Sequence, residues 1–211
     1  MTEKGYLEQQ IWQNSKTLVG LDEVGRGCIA GPVYAAAVSL DYAKLFALPE
    51  RDRKLIRDSK TLSHRQRQSI LPVLEEIAVT WSLGHSTPRQ IEQLGIVPAT
   101  FAAMHQALAA LEQDFDLLLI DGREPLPNYQ GHQKALIKGD SQAYAIAAAS
   151  IFAKEARDAI MREADEEFPE YGFANHVGYG TKQHREALVA HGICHLHRRN
   201  FAPIHQYATD T

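Results

Sequence analysis

The sequence predicts an α/β fold, a mixed sheet flanked by helices, and three observations carry that expectation. Apolar runs of strand length come first, and strand-like and helix-like stretches alternate after them. Glycines and charged turns bound those runs, as they bound strands. One long stretch, AYAIAAASIFAKEARDAIMREADEEF (143–168), is helical in character and rich in small residues that permit close packing on a sheet.

Taken in order, TLVGL (17–21) and VYAAAVSL (33–40) are two apolar runs separated by glycines, predicted as a hairpin-like pair of strands. Residues 51–67 carry seven Lys or Arg against two Asp. That run is ordinarily a solvated face, and beside an acidic site it becomes a candidate backbone-tracking groove. A helix is expected from about Ser63 to Ile77, then a strand in VTWSLGHS (79–86). Thr87-Pro88-Arg89-Gln90 has the form of a capping box with proline at the first helical position. A second helix is expected over Val97–Leu111. FDLLLID (115–121) is the clearest buried strand, and KALIKGDS (134–141) is predicted as another. The 143–168 helix follows, then the turn-rich PEYGFANHVGYG (169–180) and a last helix over Thr181–His191.

The chain has 211 residues, 45% hydrophobic and 23% charged, which fits one domain able to bury a core. The expected organisation is a single domain over 1–211. Its core spans about 17–180, and about 181–211 forms a small, loosely attached C-terminal helical element. No apolar run approaches the roughly 20 residues of a membrane span. MTEKGYLEQQIWQ at the start is too polar for a secretory signal. Two cysteines, Cys28 and Cys194, do not suggest a disulfide framework and suit a reducing cytoplasm. A net charge of −4 argues against polyanion binding driven by bulk charge and leaves room for a local basic patch.

Three of the predicted strands run into acid: Leu21 into Asp22-Glu23, Ile120 into Asp121, and Ile137 through Lys138-Gly139 into Asp140. Ligands of open α/β sheets bind outside the carboxyl ends of strands, so parallel neighbours would gather these acids. Gathered carboxylates repel, and an all-oxygen set suits Mg²⁺ or Mn²⁺. The matching chemistry is two-metal phosphodiester hydrolysis. Taken singly, each acid has a plainer explanation: Asp140 as a helix cap, Asp121-Gly122 as a turn. Side chains alternate along a strand, so Asp22 and Glu23 share a site only if the strand has ended or twisted there.

GRGCIA (25–30) also fits the dinucleotide fingerprint, but Gly31-Pro32 and a β-branched, aromatic run follow where that motif needs a helix. Small residues beside Arg26 instead suit close backbone approach to a phosphate, which a guanidinium fork can also bind. Simple turn-making explains the glycines but not the arginine.

DEVGRG (22–27), DSKTLS (58–63), LLIDG (118–122), KGDS (138–141), AAASIFAKEARD (147–158), HVGYGT (176–181) and HRRNFAP (197–203) together resemble bacterial ribonuclease HII, in order over about 17–203. The resemblance implies a ribonuclease H-like mixed five-stranded sheet and a metal-dependent endonuclease. The implied enzyme cuts the RNA strand of RNA–DNA hybrids and the 5′ side of ribonucleotides embedded in duplex DNA, leaving 3′-hydroxyl and 5′-phosphate ends. By motif position it assigns Asp22, Glu23, Asp121 and Asp140 as catalytic acids holding Mn²⁺ or Mg²⁺. Gly25, Arg26 and Gly27 would read the ribose 2′-hydroxyl and adjacent phosphate, and Tyr179 would stack on the sugar past the junction. Ser59, Lys60, Ser150 and Lys154 would line the backbone path. Thr61, Val177 and Gly180 depart from the family pattern. The type III relative is disfavoured by the arginine of the GRG loop. PIHQYATDT shows no clear sliding-clamp peptide, so the expected enzyme is a monomer without clamp recruitment.

His191, Cys194, His195 and His197 are close enough to suggest zinc, but the spacing is not that of a standard finger, and a polar, partly basic surface is the favoured reading. Arg198 and Arg199 are expected to contact phosphate or cap the last helix.

Overall fold

In the computed structural model, which describes residues 4–14 and 16–207, the apolar runs become one sheet. Its strands are β1 (Leu18–Val24), β2 (Val33–Leu40), β3 (Ala78–Ser86), β4 (Leu117–Asp121) and β5 (Gln133–Leu136). They lie in the order β3-β2-β1-β4-β5. β1, β2 and β3 pair antiparallel, whereas β1, β4 and β5 pair parallel. The sheet is mixed and five-stranded, as expected.

The helices are α1 (Tyr6–Gln13), α2 (Tyr42–Ala47), α3 (Glu50–Arg53), α4 (His64–Ile77), α5 (Pro88–Leu94), α6 (Ile96–Ala109), α7 (Tyr144–Glu167), α8 (Phe173–His176), α9 (Lys182–His191) and α10 (Ala202–His205). The expected capping box at Thr87 forms, and a second one, not anticipated, forms at Ser63. The Thr87 hydroxyl accepts from the Gln90 N–H, and the Gln90 side chain accepts from the Thr87 N–H at 2.8 Å. Ser63 and Gln66 do the same ahead of α4. No helix follows Ala30: the chain passes through Gly31 directly into β2, which removes the dinucleotide-loop reading.

Alternation along β1 divides the core in two. Leu18 and Val24 pack with α7, while Val19 and Leu21 pack with α6 on the opposite face. α7 lies so close to β1 that a Cβ on Gly20 would collide with the helix backbone at Ala145 and Ile146. This close approach brings the first turns of α7 level with the acids of β1.

Two predicted strands differ from the observed ones. β1 was expected to stop at Leu21 but runs through Asp22, Glu23 and Val24, because its pairing with β2 continues to Val24↔Tyr34. Its pairing with β4 stops at Leu21↔Ile120, so the last three residues have one open edge. The run 134–141 is strand only as far as Leu136. Lys138 takes a left-handed backbone (φ 56°), and Gly139–Ser141 form a 3₁₀ turn.

Helices α1, α2, α3 and α8 were not anticipated, and α10 only as part of a C-terminal helical element. The first has a structural task far from its own sequence. Glu8, fully buried, accepts the backbone N–H of Tyr144 at 2.7 Å and of Ala145 at 2.8 Å, capping α7 from another element, and also accepts from the Tyr42 hydroxyl. Asp140 therefore does not cap this helix. The C-terminal stretch is not loosely attached either. Leu188 and Ile204 form a third core cluster with Ile29, Ala30, Met161 and Phe173. Residues 1–3 of the N-terminal stretch and 208–211 of PIHQYATDT lie outside the described residues.

Candidate active site

Parallel pairing of β1 with β4 sets Asp121 alongside Asp22, one residue beyond the Leu21↔Ile120 register. Leu119 belongs to the α7 side of the core, so alternation aims Asp121 to that face, the one Asp22 occupies. Asp22 is 5% exposed, and its Oδ1 accepts the Glu23 N–H at 2.7 Å while the Ser150 hydroxyl of α7 donates to the same carboxylate. Behind it, the Ser150 and Ser59 hydroxyls share a hydrogen bond of 2.9 Å. Asp121 Oδ1 accepts the Gly139 N–H at 2.7 Å, which draws the 3₁₀ turn carrying Asp140 against the end of β4.

Glu23 points the other way. It sits on the α6 side in a cleft of about 410 Å³ with Thr100, Phe101 and Met104, and its carboxylate pairs with Arg26 at 3.1 Å. A neighbouring cleft of about 300 Å³ is lined by Gly25, Arg26, Gly27, Lys60 and Tyr179, with Glu23 in the wall between them. Asp22 and Glu23 thus flank the open end of β1 from its two faces. The strand does not end before them, yet the acids stay within reach of one another: Asp121 lines the same cleft as Glu23, and its charge bears on both Glu23 and Asp22.

Their electrostatics are those of a site short of positive charge. Burial, then the nearby Glu23 and Asp121 charges, hold the Asp22 carboxyl well above the usual carboxylate range. Burial raises Glu23 as well, with Arg26 pulling against it. Asp140 is raised by burial, then by Asp58 and Asp121. Around them stand cations. Burial works to lower the Lys60 ammonium, but Asp22, Asp58, Tyr179 and Glu23 together carry it above its ordinary value. Lys4 donates to the Asp140 carbonyl, and burial lowers its ammonium to about 8.

Among the described residues, no three His, Cys, Asp or Glu side chains already converge on one point. The physical reason is local: Asp22 rests on the Glu23 amide of its own strand and on Ser150, Asp121 on Gly139, and Glu23 on Arg26. Oxygen-only donors that repel one another suit a hard divalent cation, which is the charge the site lacks. Glu23 would have to leave Arg26 to join such a set.

The remaining residues divide. Lys60, Tyr179, Gly25, Arg26 and Gly27 share one open cleft. Ser59, Ser150 and Lys154 are buried behind the acids, not along an open path; Lys154 donates to Asp158 at 2.6 Å. Arg67, from the basic run, is buried against Glu155 and Asp158, so that run is not one solvated groove. Arg198 is buried and contacts loop carbonyls instead of facing outward. Of the histidines read as a polar surface, His191 and His195 are exposed as expected, whereas His197 is buried and joins His176 and His184 inside the fold. His184 and His197 are 3.0 Å apart, and burial lowers both to about 4. Lys4, Asp58 and Arg157 were missed as contributors, although the last two lie inside motifs already singled out, and Arg198 was expected to meet phosphate or cap a helix where it instead holds loop carbonyls.

The two loop glycines have different explanations. Gly25 takes a φ of 91°, and a Cβ there would run into the Arg157 guanidinium and the Pro32 carbonyl, so the fold itself demands glycine. Gly27 has no positive φ, and a Cβ there meets nothing within 4 Å. The fold demands the first glycine and, among the described residues, places no steric demand on the second.

Carboxylates gathered near the end of a central parallel strand pair in a mixed five-stranded sheet, ringed by Arg26 and Lys60, define a nuclease of the ribonuclease H-like class. The solved structures agree on the fold. The ribonuclease H2 of Pyrococcus horikoshii OT3 superposes with a TM-score of 0.76 at 23% identity, covering 90% of this chain and 96% of that one. Bst-RNase HIII in complex with Mn²⁺ gives 0.69 at 22% identity, over 92% of this chain and 69% of that one. The family model "Ribonuclease HII" matches residues 19–204. A "Ribonuclease HII" of Parasynechococcus marenigrum (strain WH8102) is 46% identical over 184 residues, 87% of this chain and 81% of that protein. The chain belongs to the ribonuclease HII family, endonucleases that cleave RNA in RNA–DNA hybrids and at ribonucleotides embedded in DNA. No helix among the described residues is long and apolar enough to cross a membrane.

Proposed function

We propose that this chain carries out ribonuclease HII cleavage with Asp22, Glu23, Asp121 and Asp140 as its metal-holding acids, binding Mn²⁺ or Mg²⁺. The observation that carries this assignment is that Asp22, Glu23 and Asp140 are raised by burial and by neighbouring acids, the Asp121 charge acting on all three, beside Lys60 and Arg26. Bound divalent ions would supply an activated water and neutralise the leaving oxygen. The chain's own residues do the rest. Arg26 and the loop amides take the substrate phosphate and ribose hydroxyl, Lys60 adds a second cation, and Tyr179 presents a ring face to the sugar beyond the junction. Ser150 and Ser59 fix the Asp22 carboxylate from behind. The enzyme works as a cytoplasmic monomer in a single domain, and clamp recruitment forms no part of this reading. Incubating the protein with a duplex containing one ribonucleotide tests it: a nick should appear 5′ of that nucleotide with Mn²⁺ or Mg²⁺ and vanish with EDTA. No nick under either metal would refute it.

Metal addition should also stabilise the protein in a pH-dependent way. A carboxyl raised in the native state binds more protons there than in the unfolded chain, so stability falls as pH rises from the ordinary carboxylate range, about 4, through the raised values. The ions compete with those same protons. The gain in melting temperature on adding Mn²⁺ should therefore grow with pH across this window; a pH-independent gain would place the ion elsewhere.

Gly27→Ala separates fold from substrate contact. Its melting temperature should stay within a few degrees of the parent, since the added Cβ is unopposed and Gly→Ala at a compatible site changes stability by only about 0.4–1 kcal/mol. Its KM for the ribonucleotide duplex should rise about tenfold, through a methyl placed where the backbone must approach the ribose. An unchanged KM would return Gly27 to the role of a turn residue.

A further inference from the structure

Two arginines outside the proposed chemistry, Arg157 of α7 and Arg198 beyond α9, are fully buried. Neither forms an ion pair among the described residues. Desolvating a guanidinium costs several kcal/mol, so such groups persist where every donor is used. Here the donors go to backbone. Arg198 donates to the carbonyls of Gly25 at 2.7 Å, Arg26 at 3.0 Å and Gly31 at 2.9 Å. Arg157 donates to Pro32 at 2.8 Å, Ala30 at 3.0 Å and Val177 at 2.7 Å. Five of these six carbonyls belong to the 25–32 loop, and the sixth precedes Tyr179 by two residues.

The direction of those carbonyls matters for what the loop shows to solvent. A trans peptide is planar, with its N–H opposed to its C=O. Drawing the Gly25 and Arg26 carbonyls inward onto Arg198 turns the following N–H groups, those of Arg26 and Gly27, outward toward the cleft that holds Lys60 and Tyr179. Successive outward amides over a buried positive charge make an anion-binding concavity.

We propose that Arg198, with Arg157 beside it, is a positioning residue that holds the GRG loop with its amides aimed at the substrate phosphate and ribose hydroxyl. The clamp never touches substrate. It acts through the loop, so the inference rests on the loop's proposed reading role.

The test compares Arg26→Ala, Arg198→Lys and the parent enzyme on a single-ribonucleotide duplex, with kcat, KM and melting temperature measured for each. Affinities for the same duplex and for an all-DNA duplex are measured in EDTA. Lysine keeps the charge but cannot reach three carbonyls at once. Arg198→Lys should raise KM about tenfold with kcat within about threefold, and weaken binding of the ribonucleotide duplex much more than of the all-DNA duplex. A folded Arg198→Lys enzyme with parental KM, alongside an impaired Arg26→Ala, overturns the clamp and leaves the loop reading intact. A parental Arg26→Ala overturns the loop reading, and the clamp with it. Should Arg198→Lys fail to fold, Arg157→Lys carries the same comparison through the Ala30, Pro32 and Val177 carbonyls, and a parental KM there counts equally against the proposal.

Discussion

Asp22→Asn should lose nicking activity by about a thousandfold or more while melting at a higher temperature than the parent. The two effects have one cause. Asp22 is buried, and its carboxyl is raised by that burial and by the charges of Glu23 and Asp121, so at neutral pH its ionised form works against the fold. Asparagine removes the charge but keeps an amide oxygen able to accept the Glu23 N–H and the Ser150 hydroxyl, so no buried donor is orphaned. Relief of one uncompensated buried charge is worth on the order of 1–2 kcal/mol, several degrees for a chain of this size. The amide cannot supply a full negative charge to a divalent cation, so turnover collapses even though the geometry is preserved. Nicking time courses with Mn²⁺ and thermal melts in EDTA measure the two halves separately. A variant that melts lower would make Asp22 a structural anion, and one that retains activity would remove it from the metal-holding set. Asp121→Asn should lose activity likewise, because its Oδ1 contact to the Gly139 N–H also survives the substitution.

The acids were legible in the sequence because each interrupts an apolar run, a local signal. Their arrangement was not. Whether β1 ends before Asp22 or carries through to Val24 depends on β2, whose pairing continues to Tyr34. No property of residues 17–24 alone decides that. The same holds for the 134–141 run, whose strand ends at Leu136, ahead of an Ile137 left 61% exposed and a left-handed Lys138. Local capping signals transferred well, as with Thr87, since partner and cap are three residues apart.

Buried polar groups transferred worst. Arg198 and His197 have the composition of a basic surface, and their interior placement follows from carbonyl and ring partners distant in sequence: the Gly25 carbonyl is 173 positions from Arg198. The motif HRRNFAP marked the position without disclosing what it touches. Substrate-facing and loop-supporting arginines look identical in a sequence; Arg26 is half exposed and Arg198 is buried. Only the fold separates a residue that could meet a phosphate from one that shapes the loop meeting it.

Glu8 is the sharpest case, and it carries the largest expected effect on stability. Glu8→Ala should lower the melting temperature by about 10 °C or more. The carboxylate accepts from three donors: the Tyr144 N–H, the Ala145 N–H and the Tyr42 hydroxyl. Removing it takes that partner from two buried donors, the Ala145 N–H and the Tyr42 hydroxyl, and from the part-buried Tyr144 N–H. The loss is about 1–3 kcal/mol for each buried donor and less for the third, offset in part by the desolvation of the carboxyl itself. A net loss of about 3–5 kcal/mol corresponds to the stated shift at about 2–4 °C per kcal/mol. Glu8→Gln should fall between, since its single oxygen cannot replace both carboxylate oxygens and its NH₂ would face a donor. Activity should follow for a structural reason: α7 carries Ser150, which braces Asp22, and the 3₁₀ turn holding Asp140 leads directly into the capped N-terminus. Thermal melts of the three proteins, with nicking rates taken well below the lowest midpoint, make the comparison. Equal midpoints for Glu8→Ala and the parent would show that α7 needs no cap from α1. A lowered midpoint with a parental rate would show that the cap holds the helix without setting the position of the acids.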